Sequence, residues 1–291
     1  MFDVILVDFS WIYNKYYYVA KVKTLGRETE PDKLSLQVCD MLYQFFSLVQ
    51  KNYPSPKILL VLDSPLSTTD NFKLNADYKQ NRNEKEKDEV YKYFKNVVGT
   101  LSTKFNNKVN FVRAVGYEAD QVIAYLAEQY QNKYKVLLFT GDKDLLQMTY
   151  YNNVDISDKY ERGMFILKTD KEIYEKFKNN KGEDFTRIST NKKDILKYRT
   201  LKGDQSDNLK AVFPRIKDTE ITDIIKNYWV DNQEEGLSLE RIQSIIEDIK
   251  GDNCKLAEKL QENINIWYTN YKIMNLYNLE GLKVKRVAKH G

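Results

Sequence analysis

Val136-Leu137-Leu138-Phe139-Thr140-Gly141-Asp142-Lys143-Asp144 reads as a short apolar run that leads through a turn into two acids. The same arrangement occurs twice more, where Phe2 to Val7 stops at Asp8 and Ile58 to Leu62 stops at Asp63. Short uninterrupted runs rich in Val, Ile and Leu predict buried parallel strands, and open α/β sheets bind ligands beyond the carboxyl ends of such strands. Acids far apart in sequence then meet in one cleft. One acid after a strand is ordinarily a cap for the next helix. Its repetition at three strand ends points instead to a metal site.

Composition narrows the chemistry. A chain of 291 residues suffices for one large α/β domain with an appendage or for two modest domains. Lys and Arg total 46 against 42 Asp and Glu, so the net charge of +4 conceals many charges of both signs. Cys39 and Cys254 are far apart and neither lies in a CxxC, which argues against a disulfide framework or zinc site and for a reducing cytoplasm. No apolar run approaches membrane-spanning length, so no membrane partner is expected. The only histidine is His290, which removes Ser-His, Cys-His and His-zinc mechanisms. Carboxylates must carry the reaction.

Outward from the acids, a strand at 2–8 is followed by a loop and a helix near 33–50, where Leu34, Val38, Met41, Phe45 and Val49 keep helical spacing. From Ser64 to about Asp88 the chain turns to turn formers and cations: Lys73, Lys79, Arg82, Lys85 and Lys87. A helix over 89–105, a strand at 109–113 and a helix at 118–130 follow, the last with Glu118 and Asp120 in its first turn. Weaker strands are expected at 152–157 and 164–168, then a Lys- and Asn-rich linker near 176–193. The remainder reads as helices near 192–202, 217–229, 238–250 and 254–278.

A second acidic feature is Gly203-Asp204-Gln205-Ser206-Asp207-Asn208. A glycine C-cap followed by an Asx-type turn accounts for Gly203 and one Asp but not readily for both. Asp8, Asp63, Glu118, Asp120, Asp142, Asp144, Asp204 and Asp207 in one cleft would repel one another and raise each other's pKa values unless cations were bound. Oxygen ligands without His or Cys favour Mg2+, with Mn2+ as substitute, and two ions roughly 3.5–4 Å apart suit phosphodiester hydrolysis.

Five ordered motifs then carry a resemblance: Val7-Asp8-Phe9-Ser10, Ala76-Asp77-Tyr78-Lys79-Gln80-Asn81-Arg82, Gly116-Tyr117-Glu118-Ala119-Asp120, Thr140-Gly141-Asp142-Lys143-Asp144 and Leu201-Lys202-Gly203-Asp204-Gln205-Ser206-Asp207-Asn208. Over about 2–215 the chain resembles the flap endonuclease and 5′ to 3′ exonuclease family, most closely the bacteriophage ribonuclease H type. The resemblance implies an α/β fold: a PIN-like domain over 1–185 with a mostly parallel sheet and a helical arch near 64–105, and a helix-three-turn-helix-like domain over 186–291 that grips duplex DNA. It implies that Asp8, Asp63, Glu118 and Asp120 hold one metal, and that Asp142, Asp144, Asp204 and Asp207 hold or support a second. The expected activity removes RNA primers or 5′ flaps in replication, on DNA and RNA:DNA hybrids, by a monomer that meets a single-stranded DNA-binding protein.

In the arch, cations interleave with Phe72, Tyr78 and Tyr91, a pattern suited to a single strand whose bases stack and whose phosphates need charge. Lys79 resembles the family lysine at the scissile phosphate; Arg82 is a second phosphate contact, and Lys73 and Tyr78 complete the expected strand contacts. The chain departs from the family pattern in two places. Gln121 stands where many relatives carry a further Asp, which lowers the charge at the first metal. Leu209-Lys210-Ala211-Val212-Phe213-Pro214-Arg215 replaces a Gly-rich hairpin, which puts a K+ site there in doubt and leaves the duplex grip to Lys210, Arg215 and Lys217. A haloacid-dehalogenase-like phosphatase needs a second Asp where this chain has Ser10, and an inactive nucleic-acid-binding protein of the same fold usually shows lost acids, whereas all eight are present.

Overall fold

The computed structural model describes residues 1–23, 31–53, 55–64, 69–80, 93–105, 109–168, 192, 194–230, 236–277, 279 and 281–287. These fall into two compact units that interleave along the chain. One holds the described residues of 1–64, 93–168 and 279–287; the other holds those of 69–80 and 192–277.

The first unit is built on a sheet of seven strands: β1 (Val4–Asp8), β2 (Lys57–Val61), β3 (Val109–Ala114), β4 (Val136–Phe139), β5 (Val154–Glu161), β6 (Met164–Leu167) and β7 (Val284–Arg286), in the spatial order β6-β5-β4-β1-β2-β3-β7. The five strands β5, β4, β1, β2 and β3 run parallel, with Leu6 opposite Leu59 on one side and Leu138 on the other. The apolar runs of β1, β2 and β4, the inner strands, are continuous because helices cover both faces of such a sheet. The edge strands β6 and β7 run antiparallel to their neighbours. Between β5 and β6 the chain reverses at Arg162 and Gly163, with φ of 51° and 85°, the left-handed pair that a two-residue hairpin requires.

Helices Phe9–Lys23, Pro31–Asn52, Phe94–Lys104 and Ala119–Tyr130 cover the sheet. The helix at Phe9 begins directly after β1 and corrects the expected loop. Phe9, Ile12, Tyr13, Tyr17 and Ala20 recur at helical spacing and are buried, so the aromatic run is a core stripe. Phe9 meets Phe111 edge-on at 5.0 Å, and Phe45 stacks on Phe139 at 5.5 Å. Phe94–Lys104 buries Val97, Val98 and Leu101 in this same core, which takes it out of the arch expected over 64–105. A division at residue 185 also assigns the C-terminal end to the helical domain, whereas β7 pairs with β3. The sequence offers only three strand residues there, with Lys285 and Arg286 among them, too few to announce a strand.

The second unit is helical: Asp194–Lys202, Asp218–Asp223 continuing into a π-helical turn at Ile224–Tyr228, Leu239–Asp252, Cys254–Glu262 and Ile264–Met274, together with Thr69–Leu74 from the earlier segment. Trp267 is fully buried and meets Trp229 at 5.4 Å; Ile242, Ile245, Ile249, Leu256 and Leu260 fill the rest of the core. The helix expected over 254–278 is two helices, interrupted at Asn263, whose side-chain amide donates to the Lys259 carbonyl at 2.8 Å.

Candidate metal and nucleic-acid site

Parallel strands bring their carboxyl ends to one edge of the sheet. Asp8 is the last residue of β1, and Asp63 lies just past β2. The Asp8 carboxylate accepts from the Trp11 N–H at 3.0 Å and from the Thr140 hydroxyl, beyond β4, at 3.2 Å. Asp63 accepts from the Ser10 hydroxyl at 2.7 Å and from the Ala119 N–H at 2.8 Å. Each acid is thus oriented by donors from a neighbouring segment. Burial, then the negative charge of Asp63, and more weakly that of Asp142, push Asp8 up to about 7, against the lowering effect of the Trp11 N–H and the Thr140 hydroxyl.

Glu118 is the N-cap residue of Ala119–Tyr130 and is buried; Asp120 lies in the first turn. Gln121 Oε1 accepts from the Glu118 N–H at 2.9 Å, a capping contact that accounts for the amide at this position. Asp142 and Asp144 follow β4 in a self-bonded turn: the Asp142 N–H donates to Thr140 Oγ1 at 3.0 Å, and Asp142 Oδ1 accepts from the Asp144 N–H at 2.8 Å. Gly141, between Thr140 and Asp142, leaves room for a neighbour, because a Cβ there would collide with the Trp11 indole.

Among the described residues, no three acidic, histidine or cysteine side chains form a ready-made metal cage. The donor set nevertheless fits a hard divalent cation. It is all oxygen, and Asp8 carries a charge penalty from Asp63 and Asp142 that a cation would relieve.

The second unit carries the other two acids. Asp204 Oδ1 accepts from the Ser206 N–H at 2.8 Å and the Ser206 hydroxyl at 2.6 Å, while Oδ2 pairs with Arg199 at 2.5 Å. Burial raises this carboxyl, but Ser206 and Arg199 outweigh it and hold Asp204 below its ordinary range. Asp204 is the acid that the Asx turn explains. Asp207 faces elsewhere: Lys79 Nζ lies 3.8 Å from its Oδ2, and the Lys79 N–H donates to its carbonyl at 3.0 Å. Asn208 Nδ2 closes the join by donating to the Asp77 carbonyl at 2.8 Å.

Tyr78 is 3% exposed, its hydroxyl 3.5 Å from Asp207 Oδ2 and its ring beneath Lys79 Nζ. It is a buried wedge and not the stacking platform expected for a single strand, because its ring fills the join with the Asp207 turn. Lys73, Lys210, Arg215 and Lys217 are exposed. Arg82, Lys85, Lys87 and Tyr91 lie outside the described residues, as does the side chain of Phe72. The Lys210 carbonyl, in the loop where a K+ site was in doubt, accepts from Asn270 Nδ2 at 2.8 Å. Sequence reasoning missed Ser10, Trp11, Thr140 and Arg199, which orient acids; only adjacency to acidic motifs marked the first three.

Comparison with known proteins bears on the family and the fold. The 5′-3′ exonuclease N-terminal resolvase-like domain family matches residues 3–182. A 5′-3′ exonuclease from Aquifex aeolicus is 27% identical over 258 residues, covering 84% of this chain and 75% of that protein. The fold is similar to that of bacteriophage T5 5′-exonuclease with bound zinc (TM-score 0.65, 16% identity, 94% of this chain and 89% of that one). It is also similar to T5 D15 flap endonuclease in a pseudo-enzyme–product complex with DNA and metal ions (TM-score 0.61, 15% identity, 94% and 89% coverage). Acids oriented at the carboxyl edge of a mostly parallel sheet, the strand order that brings them there and the family match over most of that unit lead to one assignment: the chain belongs to the 5′-3′ exonuclease family.

Proposed function

We propose that the protein is a Mg2+-dependent, two-metal 5′ nuclease that hydrolyses phosphodiesters in DNA and RNA:DNA hybrids and removes 5′ flaps or RNA primers. The observation that carries this reading is the charge conflict at Asp8, Asp63 and Asp142, at the sheet edge of a chain in this family. Asp8, Asp63, Glu118, Asp120, Asp142 and Asp144 would hold the ions, with Asp207 a further acid that holds or supports one and Asp204 in support through its turn. Bound divalent ions supply water activation and charge neutralisation at the phosphoryl group.

The chain's own residues do the rest. Ser10, Trp11, Thr140 and the Ala119 N–H hold Asp8 and Asp63 in fixed orientations, so little reorganisation accompanies reaction. Lys79 steadies charge that develops on the scissile phosphate, with Arg82 as a second phosphate contact. Lys210, Arg215 and Lys217 take phosphates of the duplex, so binding is salt-sensitive. We assign the acids of the sheet unit, with Lys79 and Asp207, to the chemistry and Lys210, Arg215 and Lys217 to the duplex, in a cytoplasmic monomer that works beside a single-stranded DNA-binding protein.

The test is cleavage of a labelled 5′-flap DNA and a 5′-RNA-primed duplex, with Mg2+ or with chelator, by wild type, Asp63→Ala and Asp142→Asn. Short 5′ products that require metal and vanish in both variants support the reading, and the ratio of rates ranks the substrates. A variant with near wild-type turnover would remove its acid from the ligand set. Tight flap binding without cleavage in Mg2+ or Mn2+ would favour an inactive binding module.

A further inference from the structure

Residues 209–217 carry three exposed cations, Lys210, Arg215 and Lys217, on a loop with no glycine, and its backbone is fastened to the end of helix Asp194–Lys202. The last carbonyls of a helix have no partner within it. Here three of them are met beyond the helix: the Arg199 carbonyl accepts from the Gly203 N–H at 2.8 Å and the Leu201 carbonyl from the Val212 N–H at 2.9 Å. The Thr200 carbonyl accepts from Asn270 Nδ2 at 3.0 Å. Asn270, 2% exposed on Ile264–Met274, also donates from the same nitrogen to the Lys210 carbonyl at 2.8 Å. An Asn amide has two N–H groups, and this one spends each on a different segment. Because the side chain is neutral and donates twice, it joins the helix end to the loop without burying a charge.

We propose that Asn270 is a positioning residue for duplex binding, which fixes the Lys210 backbone so that the loop meets phosphates already in its binding shape. This rests on the reading that the loop grips duplex DNA. Asn270 touches no nucleic acid itself. Its effect passes through Lys210, and preorganisation shows as affinity and not as chemistry.

The experiment measures duplex affinity in EDTA over a KCl series, and single-turnover cleavage with Mg2+ at saturating enzyme, for Asn270→Asp, Asn270→Leu, Asn270→Ser and Lys210→Ala, and for Asn270→Leu combined with Lys210→Ala. We expect Asn270→Asp and Asn270→Leu to weaken binding about tenfold, with the log–log salt slope smaller by about one, the signature of one lost phosphate contact. Asn270→Ser, which keeps one donor, should fall between, and cleavage at saturation should stay within about twofold of wild type, well below the ~10²-fold that misplaced catalytic groups cost. The combined variant should bind no worse than the weaker single one, because both remove the same contact. Thermal melting checks the fold; should Asn270→Asp not fold, Leu and Ser carry the test. Folded Asn270→Leu with wild-type affinity and slope overturns the proposal, as do losses that multiply in the combined variant. Wild-type affinity in Lys210→Ala, Arg215→Ala and Lys217→Ala together would instead overturn the duplex reading beneath it.

Discussion

Lys79 is held twice by Asp207: its N–H donates to the Asp207 carbonyl at 3.0 Å, and its ammonium lies 3.8 Å from the carboxylate. The backbone at Lys79 is left-handed, with φ of 58°, a conformation that costs a side-chain-bearing residue about 1 kcal/mol or more and persists only where the surroundings impose it. Tyr78 below and Asn208 alongside are what impose it here.

For Lys79→Ala, we expect single-turnover cleavage at saturating enzyme to fall by about 10²-fold or more, the range for removing one donor to developing charge. Flap affinity should change much less. An unchanged chemical step would show that Lys79 serves the Asp207 turn and not the phosphate.

Asp8 gives a pH prediction. Its carboxyl titrates near 7 in the folded protein against an ordinary 3.8, so its contribution to stability is fully present below about pH 4 and is lost as pH rises through 7. In EDTA, Asp8→Asn should therefore melt higher than wild type at pH 8, by about 4 kcal/mol or several degrees, while the two converge near pH 4. Equal melting temperatures at pH 8 would mean that Asp8 bears no charge penalty. The same variant should lose Mg2+-dependent cleavage.

Gly203 has φ of 73°, and a Cβ there would stand 2.5 Å from the Leu209 oxygen and 2.6 Å from the Ala211 nitrogen. Neither neighbour is a flexible side-chain end. Gly203→Ala should destabilise the helical unit by more than the ~1–3 kcal/mol of left-handed strain alone. Denaturant unfolding measures this, and a loss under about 1 kcal/mol would show that the loop moves aside freely.

Gly141→Ala would push against the Trp11 indole, which packs edge-on against Phe139 and whose own backbone N–H orients Asp8. Overpacking of this kind costs about 1–3 kcal/mol. We expect a shifted tryptophan emission spectrum and cleavage slowed more than about tenfold, since small displacements of catalytic groups are costly. Wild-type emission and rate together would show that the indole is not wedged there.

Much of the candidate site was legible because its acids sit at strand ends, where an apolar run of four or five residues stops at a carboxylate or leads into one through a short turn. The partners that orient those acids were not. Ser10 and Thr140 are ordinary polar residues in sequence and acquire their role from chain segments more than fifty residues away. Tyr78 misled for a related reason: an aromatic beside a lysine suits a stacking platform equally well, and only burial under Asp207 distinguishes the two. The helix at Phe9 was hidden because its stripe is aromatic and starts with no loop after the strand.

The sequence by itself determined the parallel sheet, the acidic strand ends, the helical character of the later chain and the family, because hydrophobic period and ordered motifs are local properties of a chain. Tertiary structure alone decided which cation each acid of the second motif meets, Arg199 for Asp204 and Lys79 for Asp207. It also decided that residues 284–286 return to the sheet edge and that Asn270 joins Thr200 to Lys210. These depend on which distant segments meet, and a hydrogen bond across sixty residues leaves no periodicity in the sequence between its ends.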